Sequence, residues 1–148
     1  MSNPMAASFR AELEKMGAAL RALPATVADK PWREGGWTGR QILGHLLDSS
    51  ANNRQRFVRA ALDGHYEGPG YEQEGWVAMH GYAEQSWETL LGWWRAEHEI
   101  LAAVVDHIPA ERLGSPCIIA SGQPVTLEYV VTDYLRHQRH HLAQLREE

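Results

Sequence analysis

In TLEYVVTDYLRHQRHHLAQL, residues 126–145, apolar side chains recur every three or four positions and three histidines crowd into five. At about 100° per residue, Leu127, Val131, Tyr134, Gln138, Leu142 and Leu145 gather around one direction, the signature of an amphipathic helix. Thr126 is a good N-cap, Glu128 in the first turn favours the helix dipole, and the pattern carries to the C-terminus. His137 and His141 are four apart, so they stand one turn above each other and can grip one metal ion. A solvated helix end or the remnant of an expression tag would also put histidines together. The tag reading does not suit a cluster embedded in Tyr134, Leu135, Leu142 and Leu145 at core spacing. Relative to Leu127, His141 lies about 40° and His137 about 80° round the helix, whereas His140 lies about 140° round, toward the polar face. Val130 and Tyr134 share the flank of the inward pair, at the edge of the apolar stripe where a pocket would open.

Three more helices precede this one. Phe9, Leu13, Met16, Leu20 and Leu23 mark the first, from about Met5 to Leu23, with Pro24 ending it. The second runs from Thr38 to about Leu62, opened by the capping box Thr38–Gln41 and broken by DGHYEGPG. The third runs from about Glu84 to Ile108, with Trp87, Leu90, Leu91, Trp94, Leu101, Val104 and Val105 on one face and Pro109 as its stop. Residues 63–82 read as one long aromatic-bearing loop, a kind that is often functional. ERLGSPCIIASGQPV, before the last helix, suggests a short hairpin. The expectation is an all-α four-helix bundle, one domain over residues 1–148, of the kind that builds metal sites from facing helices.

A catalytic metal needs more than two ligands, and the second helix offers a third. His45 lies about 60° from Ile42, beside the buried side marked by Ile42, Leu46, Phe57 and Ala60. Ser49, Asn52 and Arg56 follow at i+4, i+7 and i+11, a polar stripe like the wall of a wet cleft. Asn52 and Arg56 would hold an anionic part of a substrate, Arg56 through its planar fork. Asp48 would orient a ligand histidine, or else form a surface ion pair; its angle, about 120° from Ile42, turns it from the buried side. Tyr71 and Trp76 would fold over the opening, or simply pack on the bundle. His98 lies near the middle of the third helix's apolar face; a core histidine bonded to a neighbour is preferred to a fourth ligand. His65, His80 and His107 read as surface residues.

Composition narrows the partners. The chain has 148 residues, a net charge of −5 and no apolar run of membrane-spanning length, which argues against a nucleic-acid partner and against a membrane span. The N-terminus is too charged for a secretory signal, and the single cysteine, Cys117, cannot pair within the chain, so a cytoplasmic location is expected. No basic residue stands near Cys117 in sequence, which speaks against a cysteine nucleophile.

The segments GWTGRQILGHLLDSSANNRQRF, GYEQEGWV and TLEYVVTDYLRHQRHHLAQL together resemble the DinB-like superfamily, and within it the YfiT-like metal-dependent hydrolases and thiol-dependent S-transferases. The likeness spans about residues 32–146. It implies a four-helix bundle with one divalent metal on three histidines, which map to His45, His137 and His141. It further implies zinc, nickel or iron as the ion, a low-molecular-weight thiol cosubstrate such as bacillithiol or mycothiol, and a homodimer. The position of His98 looks like a tryptophan in close relatives, so the interior of the third helix is expected to be repacked.

Three neutral imidazoles leave a divalent ion its full charge and an open position. Such an ion lowers the pKa of bound water to about 7, or ionises a thiol outright. Along the stripe of Ser49, Asn52 and Arg56 no residue is a good general base. The expected activity is therefore transfer of a thiol to a small electrophilic substrate, with metal-dependent hydrolysis and a non-catalytic, metal-binding dimeric module as the alternatives.

Overall fold

The fold was taken from a computed structural model that describes residues 3–146. The helices are α1 (Ala6–Arg21), α2 (Gly39–Asp63), α3 (Gln73–His80), α4 (Trp87–Asp106) and α5 (Leu127–Arg146). Of these, α1, α2, α4 and α5 make a four-helix bundle, with α2 packed on α4 and α5, and α1 on α4 and α5. The expected run of the last helix to the C-terminus, and of the domain over residues 1–2 and 147–148, lies outside the described residues.

Local chemistry sets the helix ends. Thr38 and Gln41 close the expected capping box, the Gln41 side chain accepting from the Thr38 N–H at 3.0 Å. Gly64 ends α2 in the left-handed conformation, φ +79°, where a side chain would be strained. Ser86 caps α4, and the Thr126 hydroxyl accepts from the Tyr129 N–H at 3.0 Å at the start of α5.

The stretch 63–82 is not the single loop expected. It contains the strand β1 (Tyr66–Gly68) and the helix α3, and leads into a 3-10 turn at Tyr82–Glu84. Eight residues that bury only Val77 leave no apolar stripe for periodicity to show. β1 gets its partner from far away in the chain. The hairpin expected before the last helix is present as β2 (Pro116–Ile119) and β3 (Val125–Thr126), antiparallel, and β1 pairs parallel to β2 on its other edge. No described helix is long and apolar enough to cross a membrane.

The central helix is α2. Every residue from Ile42 to Ser50 is buried, so this segment has no solvent face. α4 and α5 cover it on the bundle side; α3 and the Tyr82 turn cover it elsewhere. At Gly44 the ring of Tyr82 occupies the space a Cβ would need.

A buried polar network crosses the core. The His98 Nδ1–H donates to Trp94 O (2.8 Å), and His98 Nε2 accepts from the Tyr134 hydroxyl (2.6 Å). Gln138 Nε2 donates to the Tyr134 oxygen (3.1 Å) and to Leu46 O (3.2 Å), and Gln138 Oε1 accepts from Trp94 Nε1 (3.2 Å). His98 is thus a satisfied core histidine, held down to about 4 by burial.

Candidate metal centre

α2 and α5 face each other so that His45 meets the pair on α5. His45 is fully buried; His137 and His141 are half-buried. One ligand atom from each lies within 4.8 Å of the others, and the ring centroids are 4.6–5.0 Å apart at interplanar angles of 77–81°. His140 is exposed on the polar side of α5, as its angle requires.

The donor set suits a divalent ion. His45 Nε2 and His137 Nε2 are 3.2 Å apart. Two imidazole nitrogens bound at 2.0–2.1 Å to one ion stand about 2.9 Å apart at a right angle and about 3.3 Å apart at a tetrahedral angle. Burial, reinforced by His141 and His137, holds His45 down at about 3. Burial and then His141 hold His137 at about 4, and burial lowers His141 as well. All three rings are therefore neutral near pH 7, with lone pairs to give. The His141 Nδ1–H donates to Gln144 Oε1 at 2.7 Å, which fixes the tautomer and leaves Nε2 free. Nδ1 of His45 and of His137 is buried with no hydrogen-bond partner among the described residues. Trp37 packs on His45, ring centroids 4.9 Å apart.

A cavity of about 200 Å³ runs from His137 along α2. Ser49, Asn53, Arg56, Tyr71 and Asp133 give it polar groups, and Ile119, Val125 and Val130 an apolar wall. Ser49 and Arg56 stand where the polar stripe put them. Burial pushes the Tyr71 phenol up, while its bond to Ser49 and the field of Arg56 pull it back.

Three expectations need correction. Asn52 does not line this cavity: it bonds back to Asp48 O at 2.9 Å and faces a second cavity of about 540 Å³, and its neighbour Asn53 takes the place beside Ser49. Asn52 lies about 20° from His45 round the helix and Asn53 about 80° on the other side, and the side on which α5 packs decides. Trp76 also lines the second cavity, between Tyr71 (5.4 Å) and His80 (5.8 Å), and does not close over the histidines. Asp48 is neither a surface residue nor a partner of a ligand histidine. It is buried, accepts from the Tyr82 hydroxyl at 2.7 Å, and has His80 Nδ1 at 3.5 Å. A single-face reading failed there because α2 is covered all round. Gln144 plays the part expected of Asp48, and its place three residues after His141 was the available signal.

The sequence profile of the DinB superfamily matches residues 8–145. The chain belongs to the DinB superfamily. Several relatives carry the name "Putative metal-dependent hydrolase", among them two matched over most of this chain. One, from Oceanobacillus iheyensis, is 25% identical over 89% of this chain and 76% of its own length. The other, YfiT from Bacillus subtilis, is 28% identical over 90% of this chain and 75% of its own length. The solved structure of Bacillus subtilis YfiT is described as having "an unusual four-helix bundle topology". It superposes on this DinB-superfamily chain with a TM-score of 0.84, at 22% identity, over 99% of this chain and 86% of that one.

Proposed function

We propose that this protein is a metal-dependent enzyme that joins a small external thiol to an electrophilic carbon, with one divalent ion held by His45, His137 and His141. The convergence of three neutral imidazoles from α2 and α5 carries the reading. A divalent ion held there supplies the Lewis acidity that ionises a thiol near neutral pH. The chain's own residues do the rest. Gln144 holds the His141 ring in its ligating tautomer. Trp37 and the burial of His45 keep water from one side of the cluster. Ser49, Asn53, Arg56 and Tyr71 line the route by which a substrate reaches His137. In the transfer the thiol proton goes to solvent, a carbon–sulfur bond forms, and a leaving group departs or a double bond accepts the electron pair.

Hydrolysis is the second reading, favoured by the names of the relatives. It needs a positioned base. Asp48 is bonded to Tyr82 away from the cluster, so Asp133, which lines the cavity, is the carboxylate to test. Elemental analysis is expected to find one divalent ion per chain, lost in His45→Ala, His137→Ala and His141→Ala and kept in His140→Ala. Cobalt-substituted protein is expected to gain a sulfur-to-metal charge-transfer band on addition of thiol. Thiol-independent ester or amide turnover that Asp133→Asn removes, with no such band, would replace transfer by hydrolysis.

A further inference from the structure

One charge in the interior has no opposite charge to answer it. Arg56 is only 8% exposed, yet no carboxylate among the described residues forms an ion pair with it. Its two hydrogen bonds are long and go to neutral oxygens: Nη1 to Asn53 Oδ1 and Nη2 to Pro69 O, both at 3.4 Å. Arg54, two residues earlier on the same helix and more exposed, is paired with Glu97. A buried, unanswered cation costs several kcal/mol, and a protein that keeps one has a reason beyond packing.

The surroundings say what would answer it. Arg56 lines the cavity of about 200 Å³ that also contains His137. Asp133 is at the same cavity, but Arg136 already donates to it at 2.9 and 2.6 Å. The same cavity is lined by Ser49 and Tyr71 and by the apolar Ile119, Val125 and Val130, while the other face of Arg56 borders the cavity of about 540 Å³. A single guanidinium matches a singly charged, planar carboxylate through two parallel bonds, whereas a phosphate dianion would leave one charge over.

We infer that Arg56 anchors the carboxylate of a small, partly apolar ligand whose other end reaches the three histidines. The inference rests on the histidine cluster being the reaction centre; the binding test below does not. The carboxylate belongs either to the thiol or to the electrophile.

Isothermal titration of the full chain with butanoate, butanamide and inorganic phosphate tests the anchor, on protein as purified and after removal of metal by chelator. Butanoate is expected to bind saturably in both forms and at least tenfold more tightly than butanamide. Arg56→Gln is expected to erase that difference and leave butanamide unchanged. The acid–amide comparison needs no variant, so it decides even if Arg56→Gln does not fold. Equal binding of acid and amide, an acid–amide difference that persists in folded Arg56→Gln, binding lost with the metal, or phosphate bound more tightly than butanoate would each overturn the inference. If the protein holds no metal, the proposed reaction fails while the anchor is still judged by the chelated arm.

The cobalt-substituted protein then separates the two sources. If the thiol bears the carboxylate, 3-mercaptopropanoate reaches half its charge-transfer band at a concentration at least tenfold below that of 2-mercaptoethanol, and Arg56→Gln removes the advantage. If the electrophile bears it, the two thiols saturate alike and butanoate leaves both curves unmoved.

Discussion

Gly44→Ala tests how tightly the Tyr82 turn is lodged on α2. In a free helix this change stabilises by about 1 kcal/mol, because alanine is the better helix former. Here the added Cβ would fall 2.1 Å from Tyr82 Cδ2, 2.2 Å from Cγ and 2.5 Å from Cε2. Carbon atoms rest about 3.5–4.0 Å apart, so the ring must retreat by about 1.5 Å. Tyr82 is 1% exposed, so the ring can move only against buried neighbours. Overpacking of this kind costs about 1–3 kcal/mol. The retreat also breaks the 2.7 Å bond from the Tyr82 hydroxyl to Asp48, a bond to a charged group worth about 1.5–3 kcal/mol. Asp48 Oδ2 already has no hydrogen-bond partner, so the buried carboxylate would keep only His80 Nδ1, 3.5 Å from Oδ1. The net expectation is a loss of about 1.5–5 kcal/mol after the helix gain is subtracted. At about 2–4 °C per kcal/mol for a chain of this size, the midpoint should fall by about 3–20 °C. Urea and thermal unfolding of four proteins decide it: wild type, Gly44→Ala, Tyr82→Ala and the double variant. With the ring gone, Gly44→Ala should turn stabilising. A neutral or stabilising Gly44→Ala in the presence of Tyr82, or the same loss in its absence, would refute the reasoning.

His98 gives a pH dependence with a definite sign. Its folded value, about 4, lies below the ordinary 6.5, so the unfolded chain takes up a proton first and stability falls as pH drops from about 6.5 to about 4. The group accounts for about 3 kcal/mol over that window, and urea unfolding of wild type and His98→Gln should differ in slope there, the variant being flatter. The β2–β3 turn holds Ala120 and Ser121 at φ +54° and +60°, a conformation that costs ordinary residues about 1–2 kcal/mol each. Replacing them by Asn and Gly should raise the thermal midpoint by a few degrees, by about 1 kcal/mol or more. Cys117 is buried, and burial raises its thiol although the field of Arg56 pulls it down; Cys117→Ala should keep metal content and turnover, and loss of activity with metal retained would restore a cysteine nucleophile.

The long helices were legible because each buries one stripe against the bundle, and a stripe recurs every three or four residues. The histidines that converge were legible for the same reason: His137 and His141 share a flank, and His140 does not. Asp48 was misread where that logic stops, in the segment of α2 buried on all sides. Angle favoured Asn52, about 20° from His45 against about 80° for Asn53, but the choice depends on where α5 lies. α3 and β1 were invisible because a helix with one buried side chain and a three-residue strand leave almost no pattern.

The polar network through Gln138 has a consequence for the histidines beside it. Gln138 follows His137 directly, and Leu46, whose carbonyl it bonds at 3.2 Å, follows His45. Apolar contacts tolerate sliding between helices; a hydrogen bond between a fixed amide and a fixed carbonyl does not. A slip of one residue would move α5 by about 1.5 Å along its axis and turn it by about 100°. That would carry His137 away from His45. The Gln138–Leu46 bond therefore acts as an alignment pin: it sets the axial register in which two histidines, 92 positions apart in the chain, stand close enough to share a single ion.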